Sequence, residues 1–132
     1  MLIKQHIIIT SVLGAILFIV HFFSFYEALL FLIGGLIIDL DHIPSYWYYT
    51  HDFSLSYKKI KRWCMDIGYL MEHYFVFHTV WFVLFVLFLV QYLPLLISFF
   101  YGLILHVSLD IYCDLYWYYV MKKNKRPYRR WI

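Results

Sequence analysis

Charge is scarce in this 132-residue sequence: only 14% of its residues are Asp, Glu, Lys or Arg. A soluble domain carries about 25% charged residues. A chain this short with so little charge lacks the polar surface to enclose a water-soluble core. The composition therefore argues against a soluble enzyme. It also argues against a disordered chain, which needs low hydrophobicity. Cysteine is nearly absent. Cys64 and Cys113 are too few for a disulfide framework and have no metal-type CxxC spacing. There is no internal repeat, no low-complexity segment and nothing that would fold as a second domain. What is abundant is apolar: 64% hydrophobic residues, 24% aromatic residues and a mean hydropathy of +0.72. The class this points to is a small all-α polytopic membrane protein, with residues 1–132 as a single transmembrane domain.

A helix needs about 20 apolar residues to cross a bilayer. Four segments are expected, at about 6–23, 27–42, 73–93 and 95–120. The first reads as a retained span, because it lacks a small-residue cleavage site and runs on into apolar sequence. The second is the shortest and ends in Asp39-Leu40-Asp41-His42, so a re-entrant segment is an alternative. Tight turns at residues 24–26 and 91–94 would make two antiparallel hairpins. Gly34-Gly35 suits close helix packing. Residues 43–72 are rich in Tyr and Trp and hold Lys58, Lys59, Lys61 and Arg62. They read as an interfacial loop between helices 2 and 3.

The net charge of +3 conceals a one-sided pattern. All 11 basic residues fall at Lys4, at Lys58 to Arg62 and at Lys122 to Arg130, the last patch within a basic tail at 121–132. Four spans put all three patches on one side, which the positive-inside rule makes cytoplasmic. The expected location is the inner cell membrane, multi-pass, with both termini in the cytoplasm. Membrane lipids are the expected partners and a homodimer is compatible. Nucleic acid is not expected, since orientation and anionic lipid account for the basic residues.

Ionisable residues at membrane depth are costly and point to function. Here they gather near one level. His6 opens the first segment, Asp39, Asp41 and His42 close the second, His73 and His78 open the third, and His106 and Asp110 lie on the fourth. His106 and Asp110 are one helical turn apart and share a face. Asp39 and His42, three apart, also converge. His73 and His78 sit about 140° apart on an ideal helix, which puts His73 in the loop or first turn. Imidazole and carboxylate bind Zn²⁺ and similar divalent ions, and a bound cation offsets the cost of buried carboxylates. The expected metal ligands are His6, Asp39, Asp41, His42, His73, His78, His106 and Asp110, around one or two divalent ions, with zinc favoured. With two ions, Asp39, Asp41, Asp110 and a bridging hydroxide would balance the charge. One ion with outer carboxylates fits as well. Asp41 and Glu72 are the candidate acid–base residues. The simpler alternative for each group is a hydrogen-bonded pair locking helices, or a polar helix end at the interface. His21 and Glu27 read as structural, and His51-Asp52 as solvated.

The ordered set resembles a known family. It comprises His6; Gly34 to His42, ending in Asp39-Leu40-Asp41-His42; His73-Tyr74-Phe75-Val76-Phe77-His78-Thr79; and His106-Val107-Ser108-Leu109-Asp110. It is similar to the YdjM-like family of small inner-membrane, metal-dependent hydrolases, some of which are called LexA-binding. The likeness covers about residues 6–112. Two positions depart from the family pattern: Ile38 stands where a Pro is usual, and Tyr74-Phe75 where Arg-Gly is usual. The resemblance implies a metal-dependent hydrolase; the cluster's place among cytoplasmic helix ends makes a lipid or a lipid-linked (phospho)ester the expected substrate. The alternative is a non-enzymatic membrane protein with a structural or sensory metal site, or a partner-binding scaffold. Ion or proton transport ranks below both, because Val80 to Val90 is wholly apolar.

Overall fold

The computed structural model describes residues 3–66, 76–77 and 79–123. All regular structure among them is helical. The elements are α1 (Ile3–Ile19), α2 (Phe25–Ile37), a 3-10 turn (Ile38–Asp41), α3 (His42–Thr50), α4 (Tyr57–Asp66), α5 (Val80–Val90) and α6 (Leu96–Lys123). Two helical stretches are long and apolar enough to cross a membrane: Phe25–Thr50, of 26 residues, and Leu96–Cys113, of 18 residues. The apolar helices Gln5–Ile19 and Val80–Val90 are shorter.

The helix starts follow from local chemistry. Ser24 caps α2, and the Glu27 carboxylate accepts from Ser24 N at 2.8 Å and from Ser24 Oγ at 2.6 Å. This capping box satisfies donors that the first turn would otherwise leave open. It gives Glu27 the structural role expected for it. Thr79 caps α5 by accepting from Phe82 N at 3.2 Å. Thr79 is itself extended, so α5 begins at Val80, later than the expected start at 73.

The second segment also differs from expectation. It does not stop at His42; it tightens into the 3-10 turn and continues as α3. Pro44 explains the change. Proline has no backbone N–H to give to the preceding turn, yet it is tolerated in the first turn of a helix. The chain therefore narrows ahead of Pro44 and restarts with Pro44 inside the first turn of α3. The stretch expected as a loop holds two helices, α3 and α4, joined at residues 51–56.

α2 is the central element. It packs most extensively on α6 and then on α1, while α5 rests on α6 and α4 on α3. Glycine sets the α2–α6 distance. A Cβ on Gly34 would collide with the Phe99 carbonyl oxygen, and one on Gly102 with the Phe31 carbonyl oxygen. A Cβ on Gly35 would come within 2.6 Å of Thr10 Cγ2 on α1. Backbones in contact through small residues are how helices associate where no hydrophobic gradient drives them together. The apolar core is small and centres on Ile38, Val86 and Leu103, with a second cluster of Phe23, Ala28 and Phe31. Large apolar side chains cover the outside, among them Phe18, Ile19, Trp81, Phe88 and Ile104.

Candidate metal centre

Three helices bring polar side chains to one buried point. His6 lies on α1, Asp39 in the 3-10 turn after α2, and His106 and Asp110 on α6. His6 and His106 are fully buried, and Asp39 is 8% exposed. Each lies at a similar depth: His6, Asp39 and Asp110 are about 14 residues from Ile19, Phe25 and Leu96, roughly 20 Å at the helical rise of about 1.5 Å per residue.

The helix contact described above orients His106. Gly102 and His106 are one turn apart, so the close α2–α6 approach that Gly102 permits also brings His106 against α2. There His106 Nδ1 lies 2.7 Å from the Gly35 carbonyl oxygen. A carbonyl can only accept, so Nδ1 carries the proton. In the neutral ring this leaves Nε2 with its lone pair. Metal-ligating histidines are commonly fixed by such a hydrogen bond on the other ring nitrogen.

The His106 Nε2 atom faces carboxylates. It lies 3.2 Å from Asp110 Oδ2 and 3.7 Å from Asp39 Oδ1. His6 Nε2 lies 3.0 Å from Asp110 Oδ1, so Asp110 spans both imidazoles. The rings of His6 and His106 are stacked, with centroids 3.9 Å apart and planes 15° from parallel. Two imidazolium rings at that separation would repel by roughly 4 kcal/mol at an effective dielectric near 20. Two neutral rings sharing one cation with the carboxylates avoid that cost.

The spacing suits a small divalent ion. Bonds of about 2.0 Å in a tetrahedral site place neighbouring donors roughly 3.3 Å apart, close to the separations above. His6, Asp39 and His106 each offer one ligand atom, and these atoms all lie within 4.8 Å of one another. Among the described residues, Asp39 Oδ2 and His6 Nδ1 are buried with no hydrogen-bond partner. An unpartnered buried carboxylate oxygen costs about 1–3 kcal/mol or more. A cation near Asp39 would offset that cost. A group of His6, Asp39 and His106 able to hold a metal ion is thus present, with Asp110 against both histidines.

The other expected residues fall in different places. His42 Nε2 lies 3.5 Å from Asp39 Oδ1, at the rim of the group. Asp41 is buried, but its Oδ2 accepts from Phe77 N at 2.6 Å and so ties the chain ahead of α5 to the end of α2. Glu72, His73 and His78 lie outside the described residues. Two neighbours of the group are not among the expected residues: the Gly35 carbonyl, which meets His106, and Thr10, which is fully buried one turn from His6 and packs on Gly35. The spacing His6-x-x-x-Thr10, matching the His106-x-x-x-Asp110 stripe, is the pattern that would have singled out Thr10.

The basic hairpin has its own carboxylate centre. Asp52 accepts from Tyr46 Oη at 2.7 Å, Lys59 Nζ at 2.8 Å and Ser54 N at 3.0 Å. The Lys59 ammonium and the Tyr46 hydroxyl hold the Asp52 carboxyl well below its ordinary range, and Asp52 in turn raises Lys59. His51 ends α3 in the left-handed region, φ 53°, and turns the chain so that these donors converge. Asp52, expected as a solvated residue, is the organiser of this turn. No family model, curated protein or solved structure matches the chain.

Proposed function

We propose that this chain is a four-span membrane protein with a metal-dependent hydrolase centre on its cytoplasmic side, acting on a lipid or lipid-linked (phospho)ester. The carrying observation is the convergence of His6, Asp39 and His106, with Asp110 against both histidines, from three helices. The four-span reading rests on the two long apolar helices, on the shorter apolar helices α1 and α5, and on the outward apolar side chains. It also rests on the one-sided basic residues. His6, Asp39, His106 and Asp110 would hold the ion, with zinc as the first candidate. A divalent ion there supplies a water acidified toward a pKa of about 7. The Gly35 carbonyl fixes His106 so that Nε2 faces Asp39 and Asp110, where an ion would be held, and Asp110 lies against both rings. Asp110 and His42 are the less buried members, with side chains 27% and 20% exposed, so access to the centre is from their side. Asp41 and Glu72 are the acid–base candidates. The resemblance to the YdjM-like hydrolases agrees with this reading, since its elements supply these ligands.

The complete burial of His6 and His106 favours a second reading, a closed structural metal site without turnover. Elemental analysis of detergent-purified protein, followed by turnover assays on phospholipids and lipid-linked phosphates, separates the two. Stoichiometric metal that is lost in His106→Ala, with hydrolysis lost in Asp110→Ala, is the expected result. Absence of metal from the wild type, or full hydrolysis by Asp110→Ala, overturns the hydrolase. Metal that stabilises the protein with no turnover of any lipid establishes the structural site.

A further inference from the structure

We propose that the α3–α4 hairpin is a docking surface for an anionic lipid bilayer. The inference rests on the membrane reading above, but on neither the metal nor the reaction. α4 is two-faced. Ile60 and Trp63, three residues apart, are each 5% exposed and pack with Tyr46 against α3. Trp63 meets the ring of Tyr46 at 5.9 Å and that of Tyr49 at 6.0 Å. Lys58 and Arg62, one turn apart on the opposite face, are exposed, and Lys61 is half-buried beside them. From His42 to Asp66 the sequence holds four bases and two acids, Asp52 and Asp66, and Asp52 is engaged by Lys59. The hairpin thus presents a net positive face held in fixed shape by its own hydrogen bonds.

Its tip adds a second kind of surface. Phe53 and Leu55, between α3 and α4, are 74% and 71% exposed. Trp47 Nε1 donates to the Ser54 carbonyl at 3.3 Å and so fixes the backbone between them. Apolar side chains next to clustered cations match a bilayer surface, where acyl chains underlie charged headgroups. A nucleic acid would use the cations and leave Phe53 and Leu55 in water. Position agrees. The 26-residue helical rod Phe25–Thr50 is about 39 Å long at the helical rise, against a hydrocarbon core of about 30 Å. A rod spanning from Phe25 therefore delivers the hairpin to the headgroup layer.

The test uses the full chain in detergent, with native mass spectrometry of retained phosphatidylglycerol against phosphatidylcholine of the same acyl chains. Each basic residue near an anionic surface contributes about fivefold in affinity. Wild type should retain phosphatidylglycerol roughly tenfold or more over phosphatidylcholine. This preference should fall by about fivefold per residue replaced in Lys58→Gln/Lys61→Gln/Arg62→Gln, leaving only the share of the basic tail, and should vanish in wild type at 1 M salt, where screening acts within about 3 Å. Phe53→Ser/Leu55→Ser should lower retention of both lipids alike. Unchanged helicity by circular dichroism establishes that the variants fold. A triple variant that keeps the preference overturns the proposal, as does tighter binding of an RNA oligonucleotide than of phosphatidylglycerol. A detergent-embedded protein with no lipid preference overturns the hairpin proposal alone. A protein soluble without detergent that binds neither lipid overturns the membrane reading with it. Loss of metal with lipid preference intact touches only the hydrolase.

Discussion

The two carboxylate centres of this molecule are opposites. At the hairpin, Asp52 is partly exposed and surrounded by donors: a phenol, an ammonium and a backbone N–H. At the helix junction, Asp39 and Asp110 are surrounded mainly by imidazole nitrogens, and Asp39 Oδ2 has no hydrogen-bond partner. At the first the carboxylate oxygens are met by donors; at the second, Asp39 Oδ2 is a buried acceptor left over. A matched network is complete and holds a shape. A buried carboxylate oxygen left without a donor is a local deficit of positive charge, and a cation is the simplest thing that removes it. Composition does not separate the two, since both are built from Asp and neighbouring basic groups. The donor count does.

The sharpest way to break the contrast is to remove His106. His106→Ala should abolish stoichiometric metal, and chelation should then no longer lower the melting temperature, whereas chelation of wild type should lower it markedly. Metal analysis and thermal scans with and without chelator check this. A smaller effect is expected from Gly102→Leu. Its side chain would press on the Phe31 carbonyl and the Gly35 nitrogen, and such overpacking costs about 1–3 kcal/mol. Separating α2 from α6 also weakens the Gly35–His106 hydrogen bond. Loss of such a supporting contact typically lowers metal affinity about 10- to 100-fold, which a competition titration would read. Metal affinity that follows the wild type would detach the glycine contact from the centre.

The smallest effect belongs to the hairpin. Asp52→Asn should leave metal content unchanged and loosen only α3–α4, read as a change in Trp fluorescence. Its pH dependence has a definite sign. The folded-state pKa of Asp52 is depressed, so its contribution is present above the ordinary value of 3.8 and is lost as pH falls through the lower folded value. Lys59 is raised, so its contribution is present below 10.5 and is lost as pH rises through the higher folded value. Between these limits the hairpin signal should be flat. An Asp52→Asn variant that loses metal would show that the two centres are not separate.

Much of the junction was legible in the chain, because helical period is written in sequence. His106 and Asp110 at one-turn spacing, and Asp39 at the end of an apolar run, are enough to suspect a shared face. The all-helical class follows from composition in the same way. What escaped depends on atoms or distances that residue types do not record. The Gly35 carbonyl is a backbone atom with no side-chain signature. Gly34-Gly35 suggested close packing, but Gly102 as its partner emerges only when α2 and α6 are seen together. Asp41 shares the residue type and neighbourhood of Asp39, and that its Oδ2 accepts from the Phe77 amide is a contact to a backbone atom that no spacing announces. The continuation of helix past His42 was hidden by the polar run Asp39-Leu40-Asp41-His42, which reads as the end of a span, whereas Pro44 fits the first turn of the next helix.

The 3-10 turn at Ile38–Asp41 does more than narrow the rod. In such a turn, residues three apart eclipse, which aligns Asp39 with His42 across 3.5 Å. The same four residues are the only backbone joining α2 to α3. They therefore set the angular phase between everything above them and everything below. One residue inserted or deleted there would rotate α3 and its hairpin by about 100–120° about the rod axis. His6, His106 and Asp110 would stay where they are, while Asp39 and the basic face were thrown out of register with them. The turn works as a keyway: it fixes the direction of the hairpin relative to the centre, and its length matters alongside the two carboxylates it carries.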